Sequence, residues 1–496
     1  MDTHTERRFD AADFRLILPT AGIALLAILL FVPFELGINV PLFIIALYCV
    51  VFTYQGQARS ESDRGSIYLL LIALIAVLPF LLYDTSPFRI AQFILLVFCV
   101  LFQIFTMYGC RYYKHLFSEN WLFDAVNAIF IMPFANLGML PRAVRALDGG
   151  RKTLTAALLG VFGLLFAPAL TIWLTKAYQA GAWGWIAAYL GGAVFFFLFS
   201  AYLYGFLCGC RYAENTCILK KPEASALRRV PAWVSLLLLL VPCFVSAVYL
   251  VRSYTYLLPA LTGRLSDADL AEYARRGFLE LCAMVLLNLG CISFAAVFTR
   301  APQRAPDVLR RKLRSASPAV LLMIILLSAL SILLIVTALV KMVLYMRSYG
   351  LTTNRMITSW FMLGLILVCV IILCRAFSAR VLLVRAVSIA AVTMFLVLCY
   401  ADCDYLALSY NRSAYMSGRL PGFDIEMLYA SGDSIVPVMI DVCDHSSGQV
   451  KTDAKAFLDH YITHYEDTLG KVRSFNIASY VAHNKYMEWA QGGKTP

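Results

Sequence analysis

The sequence predicts an all-α, polytopic membrane protein: a transmembrane helical bundle of about eleven spans with a small helical C-terminal cap outside the cytoplasm. Three observations predict it. Apolar residues make up 61% of the chain and charged residues 15%, far from the balance of a soluble domain. Long apolar runs recur, and roughly 20 helical residues cross a hydrocarbon core of about 30 Å. Every second loop between the runs is basic, which gives the bundle a direction.

The runs lie at about Leu16–Phe34, Ile38–Tyr54, Ile67–Tyr83, Ile90–Tyr108, Leu154–Leu174, Trp185–Cys208, Trp233–Val251, Phe278–Phe298, Val320–Val340, Ile357–Cys374 and Val381–Tyr400. The second and third are short and suit little tilt or flanking aromatic anchors. The polar stretch Met1–Asp13 precedes the first run, and no small-residue cleavage pattern follows that run. The first span is therefore expected to stay as an anchor. Between the fourth and fifth runs lies the loop Gly109–Lys152. Its centre, Leu116–Phe134, places Trp121, Leu122, Ala125, Ile129 and Met132 at helical spacing. A helix lying in the membrane interface is expected there, with a broken twelfth span as the alternative. In the loop Arg252–Gly277, Ser266, Asp267 and Asp269 can cap a helix that runs into the eighth span.

Residues 1–400 thus form the bundle and residues 401–496 a tail. Helical recurrence is read at Ala401–Ser413, Phe423–Ala430, Ser434–Cys443 and Asp453–Leu469, punctuated by Gly418, Pro421, Gly422, Gly432 and Gly448. The tail carries 8 basic and 12 acidic residues. It has too little apolar content to bury a core alone and is expected to lean on the bundle.

Orientation follows from Lys and Arg. The N-terminus and the loops after the even-numbered spans hold 24 of them, and the other loops hold nine. The N-terminus is expected in the cytoplasm of a cell (inner) membrane, and an odd span count puts the tail outside. The net charge of +12 is then explained by basic loops facing anionic lipid. No basic patch sits on a soluble domain, so nucleic acid is not an expected partner.

Reactive clusters are sparse. Most of the 14 cysteines lie in spans, where Cys packs as a small hydrophobe. Cys208, Cys210 and Cys217 do not have zinc spacing. Cys403 and Cys443 would face an oxidising space in the tail, where a disulfide is an option. His460 and His464 share a helix face near Glu466 and Asp467. Tyr461, however, stands where a zinc protease needs its Glu, and a solvated face is the simpler reading. Gln103, Ser200, Ser246, Asn288, Ser293, Ser328 and Ser331 are the deep polar residues. Glu280, Lys341 and Arg385 are read at span ends, where long side chains snorkel. There is no phosphate loop and no nucleophile elbow. No metal or cofactor is expected. The repeat of Gly-Cys-Arg-Tyr at 109–112 and 209–212 is read as chance at two membrane edges.

Three further motifs carry a family resemblance. They are Tyr273–Leu281 (YARRGFLEL), Tyr349–Arg355 (YGLTTNR) and Asp404–Asn411 (DYLALSYN), the last followed by Asp424–Leu428 and Pro437. In this order they resemble bacterial multi-pass membrane proteins of the domain of unknown function 4173 family and its relative 4153, over roughly the second half of the chain. Asp402 stands where that family tends to carry Asn, and Ser409 where it often carries Arg. The resemblance implies architecture and no catalytic residue. In the predicted topology all three motifs lie on the outer side. Arg276, Glu280, Tyr349, Arg355, Asp404, Tyr410 and Asn411 are then expected to form one polar layer tying tail to bundle. Its expected glue is an ion pair of Arg276 or Arg355 with Glu280 or Asp404.

Three function classes follow, in order. The first is a non-catalytic sensor or scaffold whose outer cap meets a protein partner or small ligand. The second is a transporter or lipid-handling protein. The third is an envelope glycosyltransferase acting on a lipid-linked substrate, which would need an acidic base early in the chain, where only Glu35 and Asp84 are available.

Overall fold

A computed structural model describes residues 9–32, 34–55, 64–83, 88–113, 116, 118, 120–175, 181–220, 227–261, 278–300, 317–378, 381–420, 425, 428–429, 431–468 and 475–492. Among these, every regular element is helical, and Val230 and Thr299 form an isolated bridge pair. Packing divides the chain into two compact units. One holds Met1–Leu116, Asn120–Lys220 and Ile462–Asn484; the other holds Phe117–Glu119, Lys221–Tyr461 and Lys485–Pro496.

The first unit opens with a helical hairpin, α1 (Ala11–Phe31) and α2 (Asn39–Gln55). Asp10 and Asp13 form a reciprocal capping box that starts α1: each side chain accepts from the other's amide, at 2.9 and 3.0 Å. The turn is closed by fully buried Asn39. Its amide donates to the carbonyls of Leu30 (2.7 Å) and Glu35 (2.6 Å), and its Oδ1 accepts from Gly37 (2.7 Å). At the far end Tyr54 donates to Asp13 Oδ1 at 2.7 Å. α2 therefore runs the length of α1, about 25 Å at 1.5 Å per residue. α3 (Arg64–Val77), α4 (Pro79–Leu82) and α5 (Arg89–Met107) make the next hairpin. Buried Gln92 bonds Ala76 and buried Gln103 bonds Ser66, one near each end, and Tyr48 links α2 to Gln103 at 3.0 Å.

Among the described residues, eleven helices are long and apolar enough to cross a membrane. The set differs from the predicted one by a single exchange: Trp121–Arg145 qualifies, and Asn39–Tyr54 is shorter. Contacts explain the exchange. Trp121–Arg145 comprises α6 (Trp121–Val126), a π-helical turn at Asn127–Ile131, α7 (Met132–Ala135) and α8 (Met139–Arg145). It packs on the last turns of α11 (Gly181–Tyr212) and the residues beyond. Tyr202 donates to the Ile129 carbonyl (2.8 Å), Asn136 donates to the Glu214 carbonyl (3.3 Å), and Asn127 bonds both backbone groups of Leu219 (2.8 Å each). A Cβ on Gly205 would sit 2.7 Å from the Asn136 carbonyl, so only glycine allows this approach. α9 (Gly149–Val161) and α10 (Ala167–Thr175) then run antiparallel to α11. Gly163 meets Phe196, and Gly192 meets Ala167. α9 accordingly starts level with the C-terminal end of α11. The Trp121–Arg145 segment enters and leaves at one end of the unit, although its length and composition would suit a crossing.

The Gly-Cys-Arg-Tyr repeat adopts two different backbones. Gly109 ends its helix at φ +71°, whereas Gly209 lies inside α11. Cys110 nevertheless donates to the Cys210 carbonyl at 3.0 Å.

The second unit contains α12 (Ala232–Leu261), α13 (Phe278–Phe298), α14 (Pro318–Tyr349), α15 (Thr353–Phe377) and α16 (Leu383–Tyr400). Leu281, Val285, Leu334, Ile335 and Met362 form one apolar core, and Leu239, Ile292, Val320 and Leu327 another. Between α12, α13 and α14, buried Asn288 donates to Ser246 (3.1 Å) and Ser331 (3.0 Å). Such bonds hold helices together where water is absent. Lys341 corrects the sequence reading. α14 continues to Tyr349, so Lys341 lies about 12 Å inside the helix end. It is 4% exposed and does not snorkel. Glu280 is the charged group acting on it.

The tail forms α17 (Cys403–Met416), α18 (Val436–His445), α19 (Gly448–Thr468) and α20 (Ile477–Gly492). α20 is a helix beyond those predicted, and most of Phe423–Ala430 lies outside the described residues. Cys403 and Cys443 are both buried free thiols, so the disulfide option is not realised.

Candidate functional site: a polar clasp around Leu351

Three residues, Gly350 to Thr352, join α14 to α15. Gly350 ends α14 at φ +76°, and a Cβ there would lie 2.7 Å from Asn411 Oδ1. Both its conformation and its neighbour exclude a side chain. Thr352 caps α15 by accepting from the Arg355 amide at 3.4 Å. Leu351, between the two helices, has no helical partner for either backbone group. Asn411, on α17 and 8% exposed, supplies both: its Oδ1 accepts from Leu351 N–H and its Nδ2 donates to Leu351 C=O, each at 2.7 Å. Asp404 lies two turns earlier on α17 and is 6% exposed. It accepts from Thr353 Oγ1 at 2.5 Å and from the Gly432 amide at 3.2 Å. Asp402 caps α17 by accepting from the Tyr405 amide at 3.1 Å. Burial pushes its carboxyl above the usual range and Asp404 adds to the push; hydrogen bonds from Ser434 and Tyr405 oppose it.

The predicted layer is therefore partly assembled, with different chemistry. Tyr349, Arg355, Asp404 and Asn411 come together around the linker. Arg355 forms no ion pair with Asp404. Its Nη1 donates to the carbonyls of Tyr349 (3.2 Å) and Gly350 (2.5 Å), and its guanidinium lies 4.4 Å from the Tyr345 ring centre. It thus serves the C-terminus of α14, whose dipole favours a cation. Tyr349 contributes its carbonyl while its side chain is exposed, and Tyr410 is partly buried. Glu280 is exposed and acts on Lys341, outside the clasp. Arg276 lies outside the described residues.

A second buried polar cluster, in the first unit, escaped the sequence reading. Asp13 is fully buried. Its Oδ1 takes Tyr54 and, at 3.8 Å, the Cys208 thiol; its Oδ2 takes Tyr212 at 2.8 Å and the Asp10 amide. Arg211 pairs with Asp10 at 2.8 Å and lies 4.9 Å from the Tyr54 ring centre. The signal available was the Asp10–Asp13 spacing before an apolar run, which marks a helix start. Its distant partners leave no local pattern. Among the described residues no group of His, Cys, Asp and Glu is arranged to hold a metal. His460 lies 5.1 Å from Tyr429, ring centre to ring centre, and the His464 side chain is outside the described residues.

The apolar helices and their buried polar ties define an integral, multi-pass membrane protein of the all-α class. Over residues 20–442 the chain matches the family described as Domain of unknown function (DUF4153), and it belongs to that family. The match takes in the first unit's helices as well as the clasp, a wider reach than the second half from which the resemblance was read. No curated protein and no solved structure matches the chain.

Proposed function

We propose that this protein is a non-catalytic sensor or scaffold of the bacterial cell (inner) membrane, related also to the 4173 family. The N-terminus lies in the cytoplasm, and the tail is held on the outer side for a protein partner or small ligand. One observation carries the reading: of the family-like polar side chains, Asn411 bonds the α14–α15 linker, and Asp404 bonds the first residue of α15 and a tail backbone amide. Such bonds would fix the tail's position, which supports a presenting role. The 24-to-9 asymmetry of basic residues supports the orientation.

A transporter is the second reading, favoured by the buried Asn288–Ser246–Ser331 group and by buried Lys341. Complementation of a deletion strain separates the two. If tail presentation is the function, Asn411→Leu fails to complement at normal protein abundance and Asn288→Leu complements. The reverse result overturns the scaffold reading in favour of transport.

A further inference from the structure

We propose that the corner between α8 and α9 is a binding site for an anionic phospholipid, in the cytoplasmic leaflet of the orientation proposed above. Arg142 and Arg145 lie on α8, and Arg151 and Lys152 in the first turn of α9. All four are exposed, and none makes a salt bridge among the described residues. α8 buries Met139, Leu140 and Ala143, so its apolar face is fixed against the unit and its arginines face outward. Asp148, exposed in the turn between the helices, is the corner's acidic residue.

The second half of the site is α9 itself. None of its 13 residues is buried. Leu154 is 62% exposed one turn above the cations, and Leu164 (51%) and Leu165 (59%) carry the apolar surface on past the π-helical turn at Phe162–Phe166. A headgroup phosphate beside Arg145, Arg151 and Lys152 leaves its acyl chains running along Leu154 and beyond. This pairing of cations with an adjoining apolar column selects the occupant. A second copy of this chain would bring the same four cations against themselves. A soluble anion would leave the column uncovered. Polybasic segments gain roughly fivefold in affinity for anionic lipid per added charge.

The test uses the full-length protein, delipidated in neutral detergent, and counts lipid adducts by native mass spectrometry with phosphatidylglycerol or phosphatidylcholine. The wild type should retain phosphatidylglycerol at least tenfold better. The triple variant Arg145→Gln/Arg151→Gln/Lys152→Gln should fall to the phosphatidylcholine level with unchanged thermal unfolding. The control Lys220→Gln/Arg229→Gln, which removes other basic-loop charges, should keep the preference. The proposal is overturned if the triple variant keeps the preference or if the control loses it equally. It is also overturned if glycerol 3-phosphate displaces phosphatidylglycerol at equal concentration, because the apolar column would then contribute nothing.

Discussion

Asn411 bonds both backbone groups of Leu351, at 2.7 Å each, as a neighbouring strand would. Asn127 does the same for Leu219 at 2.8 Å. In both pairs one side-chain amide satisfies a leucine whose backbone leaves helical geometry, where an unmet polar group is costly.

Asn411→Ala orphans the partly buried N–H and C=O of Leu351 and should cost about 1–2 kcal/mol. It should also speed proteolysis of the tail. Arg355→Ala removes contacts to the C-terminal end of α14 and should cost less, about 1 kcal/mol, with tail cleavage unchanged. Equal acceleration by both variants would mean that Arg355 reaches the tail, as the sequence reading expected.

Gly350→Ala meets two penalties together, a left-handed backbone and a Cβ against Asn411 Oδ1. It should destabilise by about 2 kcal/mol or more. Combined with Asn411→Ala, its cost should shrink, because the obstructing oxygen is gone and only the backbone penalty remains. Additive thermal shifts in this double-mutant cycle would remove the steric half of the argument.

Tyr54→Phe and Tyr212→Phe each delete a donor to buried Asp13 and should cost about 1–3 kcal/mol, the range for leaving a buried acceptor short of a partner, with exposed Tyr212 at the lower end. Tyr189→Phe is the comparison. Its hydroxyl donates at 2.6 Å to the Leu164 carbonyl, an exposed backbone acceptor and not a fully buried side chain such as Asp13, so its loss should be smaller, about 1 kcal/mol. Melting temperatures in detergent rank the three, and a Tyr189 effect as large as the others would sink the claim.

Asp402→Asn should stabilise the tail at neutral pH. The folded carboxyl is raised above its unfolded value, so its contribution is fully present below the unfolded value and is lost as pH rises through the folded one. Asn caps a helix about as well as Asp and carries no charge to desolvate. The variant should therefore melt higher at pH 7 and lose less stability than the wild type as pH rises above the usual carboxylate range. An unchanged pH profile would remove Asp402 as the source of that loss.

Cys403 is 4% exposed, and burial, with Asp404 and Asp402 nearby, pushes its thiol up to about 12. At pH 8 the thiolate fraction is on the order of 1 in 10,000. Cys403 should resist maleimide until the protein is denatured, and rapid labelling of the folded protein would contradict the burial.

The apolar runs were legible because a bilayer leaves the backbone little choice but helix. Length and hydropathy rank Trp121–Arg145 above Asn39–Tyr54 as a crossing, although Asn39–Gln55 runs the length of α1 and Trp121–Arg145 stays at one end. Only contacts to α1 and α11 distinguish them. The motifs at Tyr349–Arg355 and Asp404–Asn411 pointed to the right segments. Their chemistry was misread because charge invites a salt-bridge expectation, and nothing in a lone Asn announces that it will bond a leucine backbone. Asp13 was missed for another reason: Tyr212, its partner, is 199 residues away.

The Ile38 amide donates to the Phe475 carbonyl at 3.2 Å, beside the turn that Asn39 closes. In biogenesis these two closures belong to opposite ends of the schedule. Asn39 seals its hairpin within a few residues of leaving the ribosome, whereas Ile38 must wait for a carbonyl made hundreds of residues later. In the orientation proposed above, with the N-terminus inside and the tail outside, that late bond needs an even number of crossings between Ile38 and Phe475, so one missed crossing would leave the two groups on opposite faces.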